Sequence, residues 1–221
     1  MRLLLNALLK LLGGLFIIAA VIFASAGSLQ YWNAWLLLAL LFVPMLAAGW
    51  VLWRKAPGLL EKRLGHREKE AAQRKVIALS GAMFLVGFIV AGLDFRYGWS
   101  RVPLFFVTLA ALVFLLGYAL YALVLGQNAW LARTVEVQQG QHLVDTGVYG
   151  VVRHPMYTAT LLLFMAMPLI LGSWFALLIF LAYPLIIRKR ILNEEAVLKA
   201  GLPGYADYLS RVRWRLIPYL W

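Results

Sequence analysis

Apolar residues fall along this chain in long runs, broken by short polar corners. Four runs come first: Met1 to about Ser25, Tyr31 to Trp53, Val76 to Leu93 and Val102 to Leu125. At 1.5 Å per residue, about 20 residues cross a hydrocarbon core of ~30 Å. Each run is therefore predicted to be a membrane-spanning helix. In the first, Arg2, Asn6 and Lys10 fall four apart and line one helical face, from which they can snorkel to the interface. Ala24-Ser25-Ala26 resembles a signal-peptidase site, so a cleaved signal peptide is the competing reading of that segment. In the second run, Tyr31, Trp32 and Trp35 at one end and Trp50 and Trp53 at the other read as interfacial aromatic belts rather than a ligand cage.

The connectors differ in kind. Arg54 to Lys75 is hydrophilic, and Leu59, Leu60 and Leu64 sit in it at helical spacing, as in an amphipathic interfacial helix. Asp94 to Arg101 reads as a short loop. Gly126 to Tyr157 is polar and turn-rich, too long for a simple connector, and Thr134–Gln138 alternates like a short extended segment. The loop is expected to fold over something. Thr158 to Ile187 then carries no charge and is too long for one upright helix. Pro168 and Gly172-Ser173 offer a break in its middle, so a helical hairpin is predicted, with one kinked helix as the alternative. The tail from Asn193 is predicted helical, broken at Gly201–Gly204 and resuming at Tyr205.

Composition agrees with a membrane setting. The chain is 64% hydrophobic and 14% charged, where a soluble domain is about a quarter charged. It has no cysteine, hence no disulfide and no thiolate metal site. His66, His142 and His154 are far apart with no ligand spacing, which argues against a metal centre. The net charge of +12 does not indicate nucleic acid. Eight Lys or Arg lie between Arg54 and Lys75 and seven between Arg188 and Arg215, beside apolar spans, as the positive-inside rule expects. With the hairpin, 19 of the 21 cations fall on one side and only Arg96 and Arg101 on the other. The single-helix alternative would put the seven tail cations on the wrong side. The expectation is an integral protein of the plasma (inner) membrane, with both termini cytoplasmic and its cations against anionic headgroups.

Two polar corners flank the hairpin. The first is Gly147-Val-Tyr149-Gly-Val-Val-Arg153-His154-Pro155-Met-Tyr157 and the second is Arg188-Lys-Arg190-Ile-Leu-Asn193-Glu194-Glu195. Arg153 offers a fork for a carboxylate or phosphate, and His154 a hydrogen bond near neutral pH. Pro155 holds His154 extended, and Tyr149 and Tyr157 can stack on a purine. Glu194 and Glu195 point ~100° apart on a helix, so one can take a ligand amine or ribose diol while the other packs elsewhere. Taken singly, each group also fits a helix entry or a solvated face; their joint placement at the two ends of one hairpin favours a site. No Rossmann, phosphate-loop or nucleophile-elbow motif is present.

This joint pattern, continued by Tyr205-x-x-Tyr208-x-x-Arg211-Val212 and Ile217-Pro218, resembles the isoprenylcysteine carboxyl methyltransferase and phospholipid methyltransferase superfamily over Gln138 to Pro218. The resemblance implies an all-α integral membrane enzyme of about six transmembrane segments, the last two a short hairpin. A four-span region, 1–125, would join a cofactor-binding region, 126–221, in one integrated domain. It further implies S-adenosylmethionine as methyl donor, held in a cytosolic pocket between the preceding loop and the C-terminal tail. Gly147, Tyr149, Arg153, His154, Pro155, Tyr157, Glu194 and Glu195 become cofactor contacts, and Arg190 and Glu195 catalytic candidates. The acceptor would be a lipophilic or lipid-linked carboxylate, thiol or amine. Two rivals stand beside it. Membrane reductases of the sterol-reductase type share the Arg-His-Pro corner and the tail from Tyr208 to Pro218 but bind NADPH. A non-enzymatic scaffold or transporter is the other.

Overall fold

The computed structural model describes residues 2–64, 71–131 and 134–221. In chain order its helices are α1 (Arg2–Ala26), α2 (Trp32–Lys55), α3 (Pro57–Leu64), α4 (Ala71–Tyr97), α5 (Leu104–Gln127), α6 (Pro155–Ile170), α7 (Trp174–Phe180), α8 (Tyr183–Gly201) and α9 (Tyr205–Arg211). Among the described residues there is no strand, so Thr134–Gln138 does not pair as an extended segment. Arg67, Lys69, Arg133 and His66 lie outside the described residues, as does the middle of the Arg54–Lys75 connector.

Helices α1, α2, α4 and α5 are long and apolar enough to cross a membrane. Their outward faces carry Leu9, Phe16 and Ile17 on α1 and Leu104, Phe105 and Leu116 on α5, all exposed. Contiguous apolar surface of this kind is not stable in water; lipid is its natural solvent. Where helices meet, glycine removes the side chain that would hold them apart. A Cβ on Gly92 of α4 would fall 1.9 Å from Ser25 Oγ and 2.8 Å from the Ala26 nitrogen of α1. One on Gly117 of α5 would meet Leu163 Cγ of α6 at 3.0 Å. Between these contacts the core is aromatic, with Phe84 edge-on to Phe164 and Phe180 and Phe164 edge-on to Tyr183.

The segment between the two polar corners goes out and returns. Pro168 does not break it: α6 continues through Pro168 to Ile170, and the turn is made at Gly172, with φ +76°. There the Gly172 N–H donates to Leu169 O at 3.0 Å and the Ser173 N–H to Pro168 O at 3.0 Å. That pair of bonds is the glycine-closed helix ending known as the Schellman motif. Pro168 has no N–H to give, but its carbonyl is the acceptor this ending needs. The returning arm is α7, a turn at Leu181–Ala182, and α8. Helix α8 runs unbroken from Tyr183 through the whole polar cluster, so the tail helix starts ten residues earlier than its charge pattern indicates.

The tip of this hairpin is fastened to the membrane helices. Asn33 Nδ2 donates to Ile170 O at 2.7 Å, and the Tyr31 hydroxyl donates to Leu171 O. Asp94, read from sequence as the start of a loop, is still in α4 and only 1% exposed. Its carboxylate accepts from the Ser100 N–H at 2.7 Å, from the Ser100 hydroxyl at 2.6 Å and from the Ser173 hydroxyl. Three donors on one acid explain how a carboxylate tolerates burial there.

Candidate functional site

The first corner begins with a 3₁₀ turn, Gly147–Gly150. Gly147 has φ +59°, and a Cβ there would fall 2.5 Å from Gln127 Oε1, the atom that accepts from the Val148 N–H at 3.0 Å. The left-handed backbone favours glycine, and a Cβ would push the Gln127 side chain off this bond. The turn buries Tyr149, whose oxygen accepts from Asn128 Nδ2 at 2.9 Å. Burial pushes the Tyr149 phenol up to about 12, with the Glu194 charge adding and the Asn128 bond opposing, so it stays a neutral stacking surface.

Next, Arg153 and His154 pair with the tail as a short backbone strap. The Arg153 N–H donates to Trp214 O and the His154 N–H to Arg215 O, both at 2.9 Å. The Thr158 hydroxyl donates to Leu216 O at 2.7 Å. Pro155 then opens α6 as its first residue, where a missing N–H costs nothing.

The second corner faces the first from α8, and its adjacent glutamates diverge. Glu194 accepts from the Tyr157 hydroxyl, whose oxygen accepts from Arg190 Nε at 2.9 Å. Glu195 turns to the strap. Its Oε1 lies 3.0 Å from Arg153 Nη1 and 3.2 Å from His154 Nε2, and its Oε2 accepts from Arg215 Nε at 3.0 Å. A carboxylate only accepts, so the His154 proton on this contact sits on Nε2. Burial, the largest single influence, raises the Glu195 carboxyl. The bond and charge of His154, the Arg153 charge and the Arg215 bond outweigh it and leave the group below its ordinary range.

Between the corners lies a cavity of ≈ 270 Å³. Of the residues expected at the site, Tyr149, Arg153, His154, Pro155, Tyr157, Arg190 and Glu194 line it, whereas Gly147 and Glu195 do not. The arginine fork expected to hold a ligand anion is engaged behind the wall: Nη1 on Glu195 and Nη2 on Arg213 O at 2.9 Å. The polar loop contributes Trp130, Thr134–Glu136 and Gln141–Val144 to the lining. It is braced by Gln138 Nε2 on Trp130 O at 2.6 Å and by the edge-on Trp130 and His142 rings. Sequence reading did not assign Arg63, Tyr121, Tyr205 or Tyr208 to this wall. The Tyr205–Tyr208 spacing was visible only as part of a helix, and Arg63 only as a topology charge. Among the described residues no group of three acidic, histidine or cysteine side chains is placed to hold a metal ion.

Among the described residues the regular structure is all helical, and four membrane-length helices with a cavity at the open end of a short hairpin fit the integral membrane class. Residues 104–201, a little under half of the chain, match the phospholipid methyltransferase family, so this segment is similar to the isoprenylcysteine carboxyl and phospholipid methyltransferase superfamily. The matched segment runs from α5 through α8 and so contains both corners. A stretch of 93 residues, 40% of the chain, is also 30% identical to the Delta(14)-sterol reductase of Mus musculus. It spans 22% of the length of that protein.

Proposed function

We propose that this protein is a membrane methyltransferase that moves a methyl group from S-adenosylmethionine to a lipophilic carboxylate, thiol or lipid amine. The observation that carries this reading is Glu194: a carboxylate on the cavity wall, oriented by Tyr157 and Arg190, inside the segment that matches the methyltransferase family. The wall suits the donor. Glu194 complements an amine-bearing cation, and Tyr149 and Trp130 offer aromatic faces to a purine. When bound, S-adenosylmethionine supplies an electrophilic methyl group on a sulfonium centre. The work left to the protein is alignment and exclusion of water, and alignment alone is worth about 7–11 kcal/mol. Arg190, held against Tyr157, is placed to orient an acidic acceptor. Glu195 acts one layer back, as the residue that fixes Arg153 and His154.

The similarity to the sterol reductase favours a second reading, an NADPH-dependent reductase. Against it stands Glu194, whose charge would repel the 2′-phosphate of NADPH. Calorimetric titration of the detergent-purified protein with each compound separates the two. Micromolar S-adenosylmethionine binding without NADPH binding is expected; NADPH binding alone would overturn the methyltransferase reading.

We place the cavity on the cytoplasmic side of the plasma membrane, because the cations cluster beside it. As the chain contains no cysteine, single replacements report topology directly. Gln30→Cys, in the exposed α1–α2 turn, is expected to react with a membrane-impermeant maleimide on intact cells. Ser210→Cys, exposed on α9, is expected to react only after permeabilisation; the reverse pattern would invert the orientation.

A further inference from the structure

Among the described residues, four buried side-chain atoms have no hydrogen-bond partner: Gln73 Oε1, Arg153 Nε, Asn193 Nδ2 and the Tyr205 hydroxyl. Only Arg153 and Tyr205 also line the cavity. Both atoms are donors, and native structures rarely leave buried donors unmet. The neighbouring carboxylates do not satisfy them: Glu195 is taken up by Arg153 Nη1, His154 and Arg215, and Glu194 by Tyr157.

We propose that Tyr205 is a cofactor-positioning residue, its hydroxyl acting with Arg153 Nε to receive the α-carboxylate of the bound cofactor. The proposal rests on the S-adenosylmethionine reading above. A neutral donor beside a cationic one selects an anionic oxygen over a neutral one. The hydroxyl is well fixed: Tyr205 opens α9 after the left-handed Gly204, its N–H donates to Leu202 O at 3.2 Å, and its ring lies 5.7 Å from that of Tyr208. Tyr205 is 3% exposed. Burial foremost, then the Glu195 and Glu194 charges, raise its phenol well above the ordinary value, so it remains a donor at every physiological pH. Those same carboxylates disfavour a phosphate, which would bring only negative charge. An amino-acid end group brings its own ammonium, for which Glu194 is the acceptor. The cavity thus reads both charges of a zwitterion, one from each corner.

The test uses the full chain in detergent and three calorimetric probes: S-adenosylmethionine, its decarboxylated analogue and 5′-methylthioadenosine. The wild type is expected to prefer S-adenosylmethionine to the decarboxylated analogue. Tyr205→Phe is expected to weaken S-adenosylmethionine about 10-fold, the loss of one buried hydrogen bond to a charged group. The other two affinities should stay within about twofold. An unchanged affinity for S-adenosylmethionine, or equal weakening of all three probes, would overturn the assignment. So would a wild type that binds S-adenosylmethionine without preference for its carboxylate, a result independent of how the variant folds. A wild type that binds none of the three removes the parent reading instead.

Discussion

Glu195→Ala is expected to lower the stability of the folded protein by about 3–5 kcal/mol, the usual result of removing one partner from a buried ion pair. The carboxylate is met by Arg153, His154 and Arg215. Without it, two guanidinium groups face each other across the gap with no counter-charge. Glu195→Gln, which keeps the shape and loses the charge, should fall between the two. The pH dependence follows from the depressed carboxyl. Its stabilisation is fully present above the ordinary carboxylate value of about 4.3, and is lost as pH falls through the lower folded value. Thermal unfolding in detergent should therefore separate wild type from Glu195→Gln at both pH 7 and pH 5. The gap should close only below about pH 4. A gap that closes between pH 7 and pH 5 would mean that the carboxyl is not depressed.

Glu194→Gln should do the opposite: little to the fold, much to the ligand. The amide oxygen still accepts from Tyr157, so the α6–α8 contact is preserved. The charge that complements a cationic cofactor is gone, and a charge-assisted bond of this kind is worth about 1.5–3 kcal/mol, or roughly 10–150-fold in Kd. Calorimetry with S-adenosylmethionine measures that loss, and unfolding of the same sample measures the fold. Unchanged affinity in a folded variant would remove Glu194 from the site. The two variants together ask whether adjacent glutamates on one helix do separate jobs, one holding the ligand and one holding the wall.

How far the sequence could anticipate this arrangement depends on the type of signal. The four spans were legible because apolar runs of that length have one stable solution in lipid. The return of the hairpin was legible from the distribution of cations. The divergence of Glu194 and Glu195 was legible as an angle, but not which of them meets the cavity. That depends on Arg215, far along the chain and recognisable beforehand only as a tail charge. Pro168 misled because a helix breaker near a helix end can equally serve that end, and the carbonyl bonds that decide it leave no trace in composition. Asp94 looked like the start of a loop because an acid is costly inside a membrane helix. Its partners, Ser100 and Ser173, come from two separate turns. Tyr205 was seen only as part of a helical pattern, since an unmet hydroxyl is a property of the folded surroundings.

The strap formed by Trp214, Arg215 and Leu216 also fixes an order of events during biosynthesis. Synthesis runs from the N-terminus, so the four long helices leave the ribosome before those three residues do. Until then the backbone of Arg153 and His154 lacks its bonds, and Glu195 lacks one of its cations. The lipid-facing part of the molecule can therefore be laid down with the cavity still open, and the polar wall locks last.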